Sequence, residues 1–569
     1  MTAQFLTNIL QHIKDKPILR TGLIFSLIYL YCSIFNPYFF NAKGEALVCM
    51  QTYNLILNAV FLLIITQIRY VGVFIFFLLS LLFGIISYMR YEFGYELSNE
   101  LIFATFETTT EESSAFITFE SVSFILICSL IAFCIWKGLR YLLPNIHHKP
   151  LRKQCVWFGG LSILLIFTYF LPSVFFHKIP WADKTIPDYV VRHLSAEHYK
   201  WRPFFELPNQ RAPYEDFTKT YRMPLANISV IMKGINEYTQ EVTLIESAHF
   251  SSNCILKDDE ELTVVLIIGE SIRADHFGIN GYHRNTTPKL STIPGIISFS
   301  RMYSYGGATE FSFRSIMTGL TKNEEQLSRT SFVPILKKHG FNCSYYTENA
   351  ANMCMSHHMK PVIGNHLDHS EIVKGDVIDV ANIISRKINT TSNKRKFVII
   401  QNGIGHYPYG HNIKYCHFKP SKFHTKSDDA KKSGLRNDYD NCIVAVDSFM
   451  ERILTTLNDE NLIVLYCSDH GELLGENGKW NHGDANNPYL RHVASFIWFS
   501  DTYKQRHPDI VAKYEQIKDK PLVHGQFYAT ILELCGIQSE IPLNVGSFLN
   551  DDFRNHPHNV PDANLQDKQ

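Results

Sequence analysis

The chain has 569 residues, which is too long for one ordinary hydrophobic core and predicts at least two domains. Lys plus Arg and Asp plus Glu both number 54, so the formal net charge is zero and no nucleic-acid partner is expected. Hydrophobic residues make up 46% of the sequence, but almost all of the long apolar runs lie before residue 176. The composition predicts an apolar N-terminal region joined to one that resembles an ordinary soluble protein.

The N-terminal region contains five candidate membrane spans. Most approach the ~20 apolar residues that a helix needs to cross a bilayer, and the fourth is the shortest. They are apolar on every face, which argues against a soluble helical bundle. The first is not expected to be a cleavable signal, because no small-residue cleavage site follows it. The predicted spans are Leu19–Tyr38, Ala46–Thr66, Val71–Met89, Val122–Trp136 and Val156–Phe176.

Lysine and arginine residues flank these spans unevenly. They concentrate before the first span, between the second and third, and between the fourth and fifth, as Lys16, Arg69 and Arg140 illustrate. Segments rich in positive charge face the cytoplasm, so five spans place the rest of the chain on the opposite side. We therefore expect a transmembrane domain at 1–176, an interfacial linker with a bridging helix at 177–257, an extracytoplasmic head at 258–557 and a disordered tail at 558–569.

The head alternates between apolar runs and stretches of helical spacing. The runs are fully apolar, as expected for central strands that are covered on both faces. Residues 331–339 and 437–457 have helical spacing. This alternation predicts a doubly wound α/β domain. The predicted strands are 262–268, 397–400, 462–467 and 494–499.

Residues of the kinds that bind metal ions follow three of these strands. Glu270 comes just after the first strand, His406 after the second, and Asp469 with His470 after the third; His482 lies twelve residues beyond His470. Ligands of doubly wound sheets collect at the carboxyl ends of the strands. Carboxylates and imidazoles suit divalent ions such as zinc. The pattern therefore predicts a metal site at this edge.

A candidate nucleophile lies in the stretch YSYGGATEFSF. Gly306 and Gly307 permit a tight turn, and Thr309 then stands where a helix is expected to begin. Two interpretations remain open from the residues alone. Thr309 could simply cap the helix. Alternatively its hydroxyl faces the metal and acts as a nucleophile, while the helix N-terminus helps to hold a phosphate.

Several motifs together resemble the phosphoethanolamine transferases of Gram-negative inner membranes, which belong to the alkaline-phosphatase/sulfatase superfamily. The motifs are IIGESIRADHFGINGYHRNTTPKL, GGATE, NDYDN at 437–441, SDHGE and NPYLRHVASFIWF. The resemblance implies a multi-pass inner-membrane protein, a monomer, with five membrane helices and a sulfatase-like periplasmic head. It also implies one zinc ion, with a second also compatible, and transfer of phosphoethanolamine from phosphatidylethanolamine to a lipid A phosphate or an inner-core sugar.

The same resemblance implies a role for each candidate residue. The residues that hold zinc would be Glu270, Thr309, Asp469 and His470, with Thr309 as the nucleophile, and those that contact the phosphate would be His406 and His482. The family's membrane-side ETNxxEA tract corresponds to 107–113. There Glu112 matches the family tract, and Thr109 replaces the usual Asn. Because this tract is thought to contact the donor headgroup in the family, the resemblance implies such contacts for both residues.

The cysteines depart from the family pattern. Many lipid A-modifying relatives have a Cys directly after the nucleophile, within a head that contains several disulfides, whereas this chain has Glu310. Cys343 and Cys354 could close a disulfide, although spacing does not settle the connectivity. We expect Cys467, inside an apolar strand, to be a buried free thiol.

Other functions remain to be weighed. A glycerophosphate transferase of the lipoteichoic-acid synthase type would share the spans, the threonine and the head, and a periplasmic glucan is another possible acceptor. The YDN and FETTTEES tracts favour a phosphoethanolamine transferase over a glycerophosphate transferase. A sulfatase is disfavoured because no Cys or Ser lies in a C/S-x-P-x-R context near Thr309. A membrane sensor with a degenerate head would have lost ligands, whereas all six positions are present.

Overall fold

A computed structural model describes two compact units of the chain, one formed by residues 1–99 and 116–234 and the other by 100–115 and 235–569. In the first unit the described residues are 11–35, 58–68, 70–93 and 117–143, with single positions and short stretches between 55 and 97 and between 150 and 234. In the second they are 102, 105, 235–236, 254–257, 259–320, 331–348, 354, 359–407, 409, 413–421, 428–457, 461–476, 480–482, 487–539 and 546–549.

The first unit contributes four described helices: α1 (Pro17–Ile34), α2 (Asn58–Gln67), α3 (Tyr70–Phe93) and α4 (Phe119–Leu142). Three of these, α1, α3 and α4, are long and apolar enough to cross a membrane. They correspond to the first, third and fourth predicted spans, and α4 is longer than predicted at both ends. The second span is described only in part, and most of the fifth lies outside the described residues. The count of five therefore stays a prediction.

The membrane helices pack through small residues and turn large apolar side chains outward. A side chain at Gly84 of α3 would lie 3.4 Å from Ile125 of α4, so the two backbones approach closely there. On α4, Leu126 and Leu130 are 58% and 63% exposed. Apolar side chains that cover the outside of a helix pair suit a hydrocarbon environment.

The second unit, the head, contains fourteen short or medium strands among its described residues: β1 (Cys254–Leu256), β2 (Leu262–Gly269), β3 (Ile296–Ser298), β4 (Met302–Tyr303), β5 (Asn342–Thr347), β6 (His369–Ile372), β7 (Arg395–Asn402), β8 (Leu462–Ser468), β9 (Leu473–Leu474), β10 (Trp480–Asn481), β11 (His492–Val493), β12 (Ser495–Phe499), β13 (Leu522–Val523) and β14 (Ile537–Ser539). The helices around them are α5 (Thr309–Thr318), α6 (Val333–Lys338), α7 (Met359–Val362), α8 (Val377–Thr390), α9 (Asp428–Thr456), α10 (Pro488–Arg491), α11 (Asp501–Arg506), α12 (Pro508–Ile517) and α13 (Phe527–Leu534).

Seven strands form the main sheet in the order β3-β12-β8-β2-β7-β5-β6. The five strands from β8 to β6 are parallel, and β12 and β3 continue the sheet in antiparallel pairings. Side chains alternate between two cores, with Val264 and Leu266 in one and Val265 and Ile267 in the other. A sheet covered on both faces confirms the predicted α/β architecture of the head.

The predicted central strands are all present, each with small shifts at its ends. The predicted helical stretches 331–339 and 437–457 correspond to α6 and to the C-terminal part of α9. Strands β5 and β6 were not predicted. The first has the sequence NCSYYT and the second HSEI, so neither shows the continuous apolar run that marks a buried parallel strand.

The cysteines of the head are free where they are described. Cys343 and Cys354 are both buried free thiols, so the disulfide considered between them is not formed. Cys467 is a fully buried free thiol in β8, as expected. The described part of the head is therefore held together by its two cores and by hydrogen bonds.

We predict that Phe397→Ala in β7 lowers the unfolding free energy of the head by about 3–5 kcal/mol, because it deletes a fully buried ring that packs edge-on against Phe332 at 5.3 Å. Ile372→Ala on the outer strand β6, where the side chain is 42% exposed, should cost much less. Thermal unfolding of the purified full chain compares the two. Equal losses would contradict the assignment of β7 to the centre of the core.

Candidate metal centre and nucleophile

The candidate site lies where the carboxyl ends of three parallel strands meet the start of a helix. Gly269, the last residue of β2, pairs with Ser468 of β8 and with Asn402 of β7. This register brings Glu270 and Asp469, the residues that follow, next to each other. Thr309 is the first residue of α5. The structure thus brings together Glu270, Asp469, His470 and Thr309, which the sequence places up to 200 positions apart.

The side-chain atoms of these residues converge within a few ångströms. Thr309 Oγ1 lies 3.3 Å from Glu270 Oε2 and 3.4 Å from His470 Nε2. His470 Nε2 lies 3.3 Å from Glu270 Oε1 and 3.5 Å from Asp469 Oδ2. One ligand atom each from Glu270, Asp469 and His470 falls within a 4.8 Å group. This is a compact set of oxygen and nitrogen donors.

Burial makes the set unstable without a cation. Glu270, Asp469 and His470 are 4%, 1% and 0% exposed. Burial, together with the neighbouring Glu270 carboxylate, raises the pKa of Asp469 to about 7. Burial would lower the pKa of His470, but the Asp469 and Glu270 carboxylates outweigh it and raise that pKa to about 10. Two carboxylates therefore lie against a single imidazole in a site that is buried from solvent.

The hydrogen bonds leave donor atoms suited to a divalent ion. Asp469 Oδ1 accepts the N–H groups of Ser271 and His470 at 3.0 and 2.6 Å, whereas the buried Oδ2 has no hydrogen-bond partner among the described residues. His470 Nδ1 lies 2.8 Å from the Gly471 carbonyl oxygen, which fixes Nδ1 as a donor and turns Nε2 toward the two carboxylates. Carboxylate oxygen, imidazole nitrogen and a hydroxyl form a donor set that fits zinc.

Thr309 does not cap its helix. The N-cap residue of α5 is Ala308, and no side-chain capping bond is present there. The Thr309 hydroxyl instead points at Glu270 and His470. The capping interpretation is therefore wrong for this threonine, and the interpretation as a nucleophile stays a prediction.

Two further histidines lie beside the donor set. The ring centroid of His482 is 4.2 Å from that of His470 and 6.1 Å from that of His406. His406 Nδ1 contacts the Tyr407 carbonyl oxygen at 2.7 Å. Gly405 precedes His406, and a side chain at that position would overlap the Glu270 carbonyl oxygen. The glycine therefore lets the His406 loop approach the metal site.

Glu472 is a site residue to which the sequence analysis gave no role. Its side chain is fully buried, and Oε2 lies 3.1 Å from His482 Nδ1. Its other oxygen, Oε1, has no hydrogen-bond partner among the described residues. Burial and the nearby His470 lower the pKa of His482. The signal was present in the SDHGE motif, where a second carboxylate follows the Asp-His pair at a spacing of three.

Other predicted features are placed as follows. Thr109 and Glu112, the expected donor-headgroup contacts, lie outside the described residues, so they stay predictions.

Tyr439 of the NDYDN motif does not enter the donor set. Its hydroxyl accepts the Arg273 N–H at 2.9 Å and donates to the Ser271 carbonyl at 2.7 Å. Glu310, in the position of the family's cysteine, is a buried residue in the first turn of α5.

Two known families match this chain, one over much of its apolar N-terminal region and the other over most of its head. The sequence model of the family "Phosphoethanolamine transferase EptA/EptB" matches residues 55–186, and that of the family "Sulfatase" matches residues 263–537. Together they cover more than two thirds of the 569 residues.

Curated relatives share a quarter or so of their residues with this chain. A Kdo(2)-lipid A phosphoethanolamine 7''-transferase of Salmonella typhimurium is 28% identical over 327 residues, which are 54% of this chain and 57% of that protein. The chain thus matches little more than half the length of that relative. The phosphoethanolamine transferase EptA of Salmonella typhimurium is 24% identical over 476 residues, 80% of each chain.

The fold also has a solved counterpart. The integral membrane protein lipooligosaccharide phosphoethanolamine transferase A of Neisseria meningitidis aligns with a TM-score of 0.67 at 19% identity, covering 91% of this chain and 96% of that one. That likeness shows a shared fold over both units. With one family matched in the membrane unit and the other in the head, the chain belongs to the phosphoethanolamine transferases of the sulfatase superfamily.

Proposed function

We propose that this protein transfers phosphoethanolamine from phosphatidylethanolamine to a lipopolysaccharide acceptor through a covalent intermediate on Thr309. One observation carries the proposal. The Thr309 hydroxyl lies within 3.4 Å of both Glu270 and His470, and His470 Nε2 in turn lies 3.5 Å from the buried Oδ2 of Asp469. A hydroxyl aimed into a metal-type donor set, and not at its own helix, is a nucleophile's placement.

The metal in this proposal is zinc. Glu270, Asp469, His470 and Thr309 would hold it, and one ion suffices for this donor set. Zinc would lower the pKa of the threonine hydroxyl and offset the negative charge that develops on the transferring phosphoryl group. Glu472 with His482 and His470 forms a second group of metal-type ligands, so a second ion is compatible with the site.

The protein side chains account for the remaining steps. In the first half-reaction Thr309 Oγ1 attacks the phosphorus, the bond from phosphorus to the glycerol oxygen breaks, and diacylglycerol leaves with the proton that the threonine lost. In the second, an acceptor oxygen attacks the phosphothreonine and the hydroxyl is regenerated. His406 and His482 stabilise the phosphoryl charge, and His482, held by Glu472, is positioned to carry protons.

The relatives support a proposed acceptor and location. Two of the curated relatives are Kdo(2)-lipid A phosphoethanolamine 7''-transferases, so a lipid A phosphate or an inner-core sugar is our proposed acceptor. Three apolar helices among the described residues and an integral-membrane relative support an inner-membrane protein whose head is periplasmic. We propose five spans in total and a monomer. A periplasmic glucan acceptor is the alternative within the same chemistry.

We predict that Thr309→Ala lowers transfer by roughly a thousandfold or more, because it removes the hydroxyl that contacts both Glu270 and His470. Thr309→Ser, which keeps the hydroxyl, should retain measurable activity. Transfer of labelled phosphoethanolamine from phosphatidylethanolamine to lipopolysaccharide checks both variants. Mass spectrometry of the trapped wild-type intermediate identifies the group on Thr309, and a glycerophosphate adduct there would support the lipoteichoic-acid synthase alternative. Substantial activity in the alanine variant would refute the assignment.

We predict that Asp469→Asn lowers the zinc content of the purified protein to about one tenth or less, because the buried oxygen facing the ligand group loses its charge. Thr309→Ala should keep most of the zinc, since three charged or imidazole ligands remain. Elemental analysis after dialysis measures both variants, and zinc-dependent thermal stabilisation should follow the same order. Full zinc occupancy in the Asp469 variant would count against the ligand set.

We predict that Glu472→Gln lowers transfer about tenfold to a hundredfold while the zinc content is retained, because the carboxylate orients His482. Glu371→Gln is the matched control. It also breaks a Glu–His pair, with 2.9 Å between Oε2 and His369 Nε2, but that pair lies on the exposed outer strand β6. Activity and zinc content of the two variants are compared. An equal effect of both substitutions would show that the loss is not specific to the site.

A further inference from the structure

Glu348 lies at the same edge of the sheet as the metal centre, two strands away. It directly follows β5, whose last residue Thr347 pairs with Gln401 of β7. The next residue of β7, Asn402, pairs with Gly269 of β2, just before Glu270. Successive strands are about 4.8 Å apart, so the backbones of Glu348 and Glu270 are roughly 10 Å apart.

The contacts of Glu348 link it to the loop that carries His406. Glu348 Oε1 accepts the N–H of Gly403 at 3.1 Å, and the Gly403 carbonyl in turn accepts the His406 N–H at 3.1 Å. The carboxylate is therefore linked through Gly403 to the loop that carries His406, which we assign to the transferring phosphoryl group. The loop that follows β7 makes this link, because it carries both Gly403 and His406.

Glu348 has no countercharge in the part of the chain that the structure describes. Among those residues it forms no ion pair with lysine, arginine or histidine, and its one recorded contact is a neutral backbone N–H. Only part of the side chain is exposed, and burial raises the pKa of its carboxyl to about 7. A desolvated carboxylate of this kind gains from a cation that arrives with a ligand.

Asn402 is a second polar residue on the same edge of the sheet. Asn402 is 1% exposed, and its Oδ1 accepts the Ile404 N–H at 3.1 Å, which fixes the orientation of the amide. Its Nδ2 is buried without a hydrogen-bond partner among the described residues. In register, this donor lies between Glu270 and Glu348. An N–H donor and a carboxylate at neighbouring strand ends match a ligand that carries both an oxygen acceptor and a cation.

We propose that Glu348 and Asn402 form the subsite for the ethanolamine end of the transferred group. Glu348 binds the primary ammonium, and the Asn402 amide donates to an oxygen of the phosphoryl group to which that ammonium is joined by two carbons. This inference rests on the proposed function, since it names the part of the site that recognises the group transferred. It also provides a physical basis for rejecting a neutral glycerol headgroup, which cannot compensate the Glu348 charge.

The test compares two ligands of nearly equal size on the full-length zinc-loaded protein. O-phosphoethanolamine carries the ammonium, and n-propyl phosphate has a methyl group in its place. Titration calorimetry should show wild type binding O-phosphoethanolamine at least about tenfold more tightly, the effect of one charge-assisted hydrogen bond. Glu348→Gln keeps an oxygen that can accept the Gly403 N–H but loses the charge, so the two affinities should become equal. Glu371→Gln on the neighbouring strand should keep the wild-type preference.

Several results would overturn the proposal. It fails if wild type does not distinguish the two ligands, or if Glu348→Gln keeps the preference while both affinities fall, which would leave Glu348 as an anchor of the His406 loop only. Unfolding temperature and zinc content show whether the variant is folded. If Glu348→Gln is not folded, two other variants decide. Glu348→Asp, which retains the charge, must keep the preference for O-phosphoethanolamine, and Asn402→Ala must lower the affinity for both ligands. Transfer from phosphatidylethanolamine by wild type is measured separately, so failure of the proposed function is distinguishable from failure of the subsite.

Discussion

Two buried carboxylates at neighbouring strand ends are the constraint on which the head depends. Glu270 and Asp469 follow Gly269 and Ser468, which pair in the parallel register of β2 and β8, so the backbone itself forces their side chains together. Burial and mutual repulsion both oppose this arrangement, and the single imidazole of His470 offsets only part of the negative charge. The fold can hold such a pair because the strands beneath them are covered on both faces. A site of this kind favours whatever supplies positive charge.

Hydrogen bonds behind the site hold this arrangement in place. The Ser468 hydroxyl accepts the Ile272 N–H at 2.7 Å and donates to the His470 carbonyl at 3.1 Å, tying the two strand ends together. Ser271, which follows Glu270, has a φ of +61°, and Asn481, which precedes His482, has a φ of +72°. Asparagine tolerates this left-handed conformation, whereas serine adopts it at a cost that its surroundings must offset. The strain at Ser271 thus marks backbone next to Glu270 that is shaped for the side chain it presents.

The sequence predicted the α/β head and the donor set because both depend on strong local patterns. Continuous apolar runs mark the central strands, and Glu270, Asp469 and His470 follow such runs directly. The predictions failed where the signal depends on tertiary contacts. The strand NCSYYT is buried by its neighbours and not by its own pattern, and Cys343 within it stays unpaired although its spacing from Cys354 allowed a bridge. The SDHGE motif contains Glu472, but its partner His482 lies ten residues further on, so the contact between them depends on the fold.

The choice between cap and nucleophile at Thr309 shows how one position can exchange stability for chemistry. A threonine one residue earlier, at Ala308, could cap α5 and would stabilise the helix by about 1 kcal/mol. With alanine at the N-cap and threonine at the first helical position, the hydroxyl leaves the backbone and reaches Glu270 and His470 instead. The positive end of the helix dipole then lies at the Thr309 hydroxyl, the oxygen that we propose as the nucleophile. In that proposal, a phosphoryl group bound to Thr309 would meet the helix N-terminus on one side and the donor set on the other, which would favour the charged intermediate over the neutral alcohol.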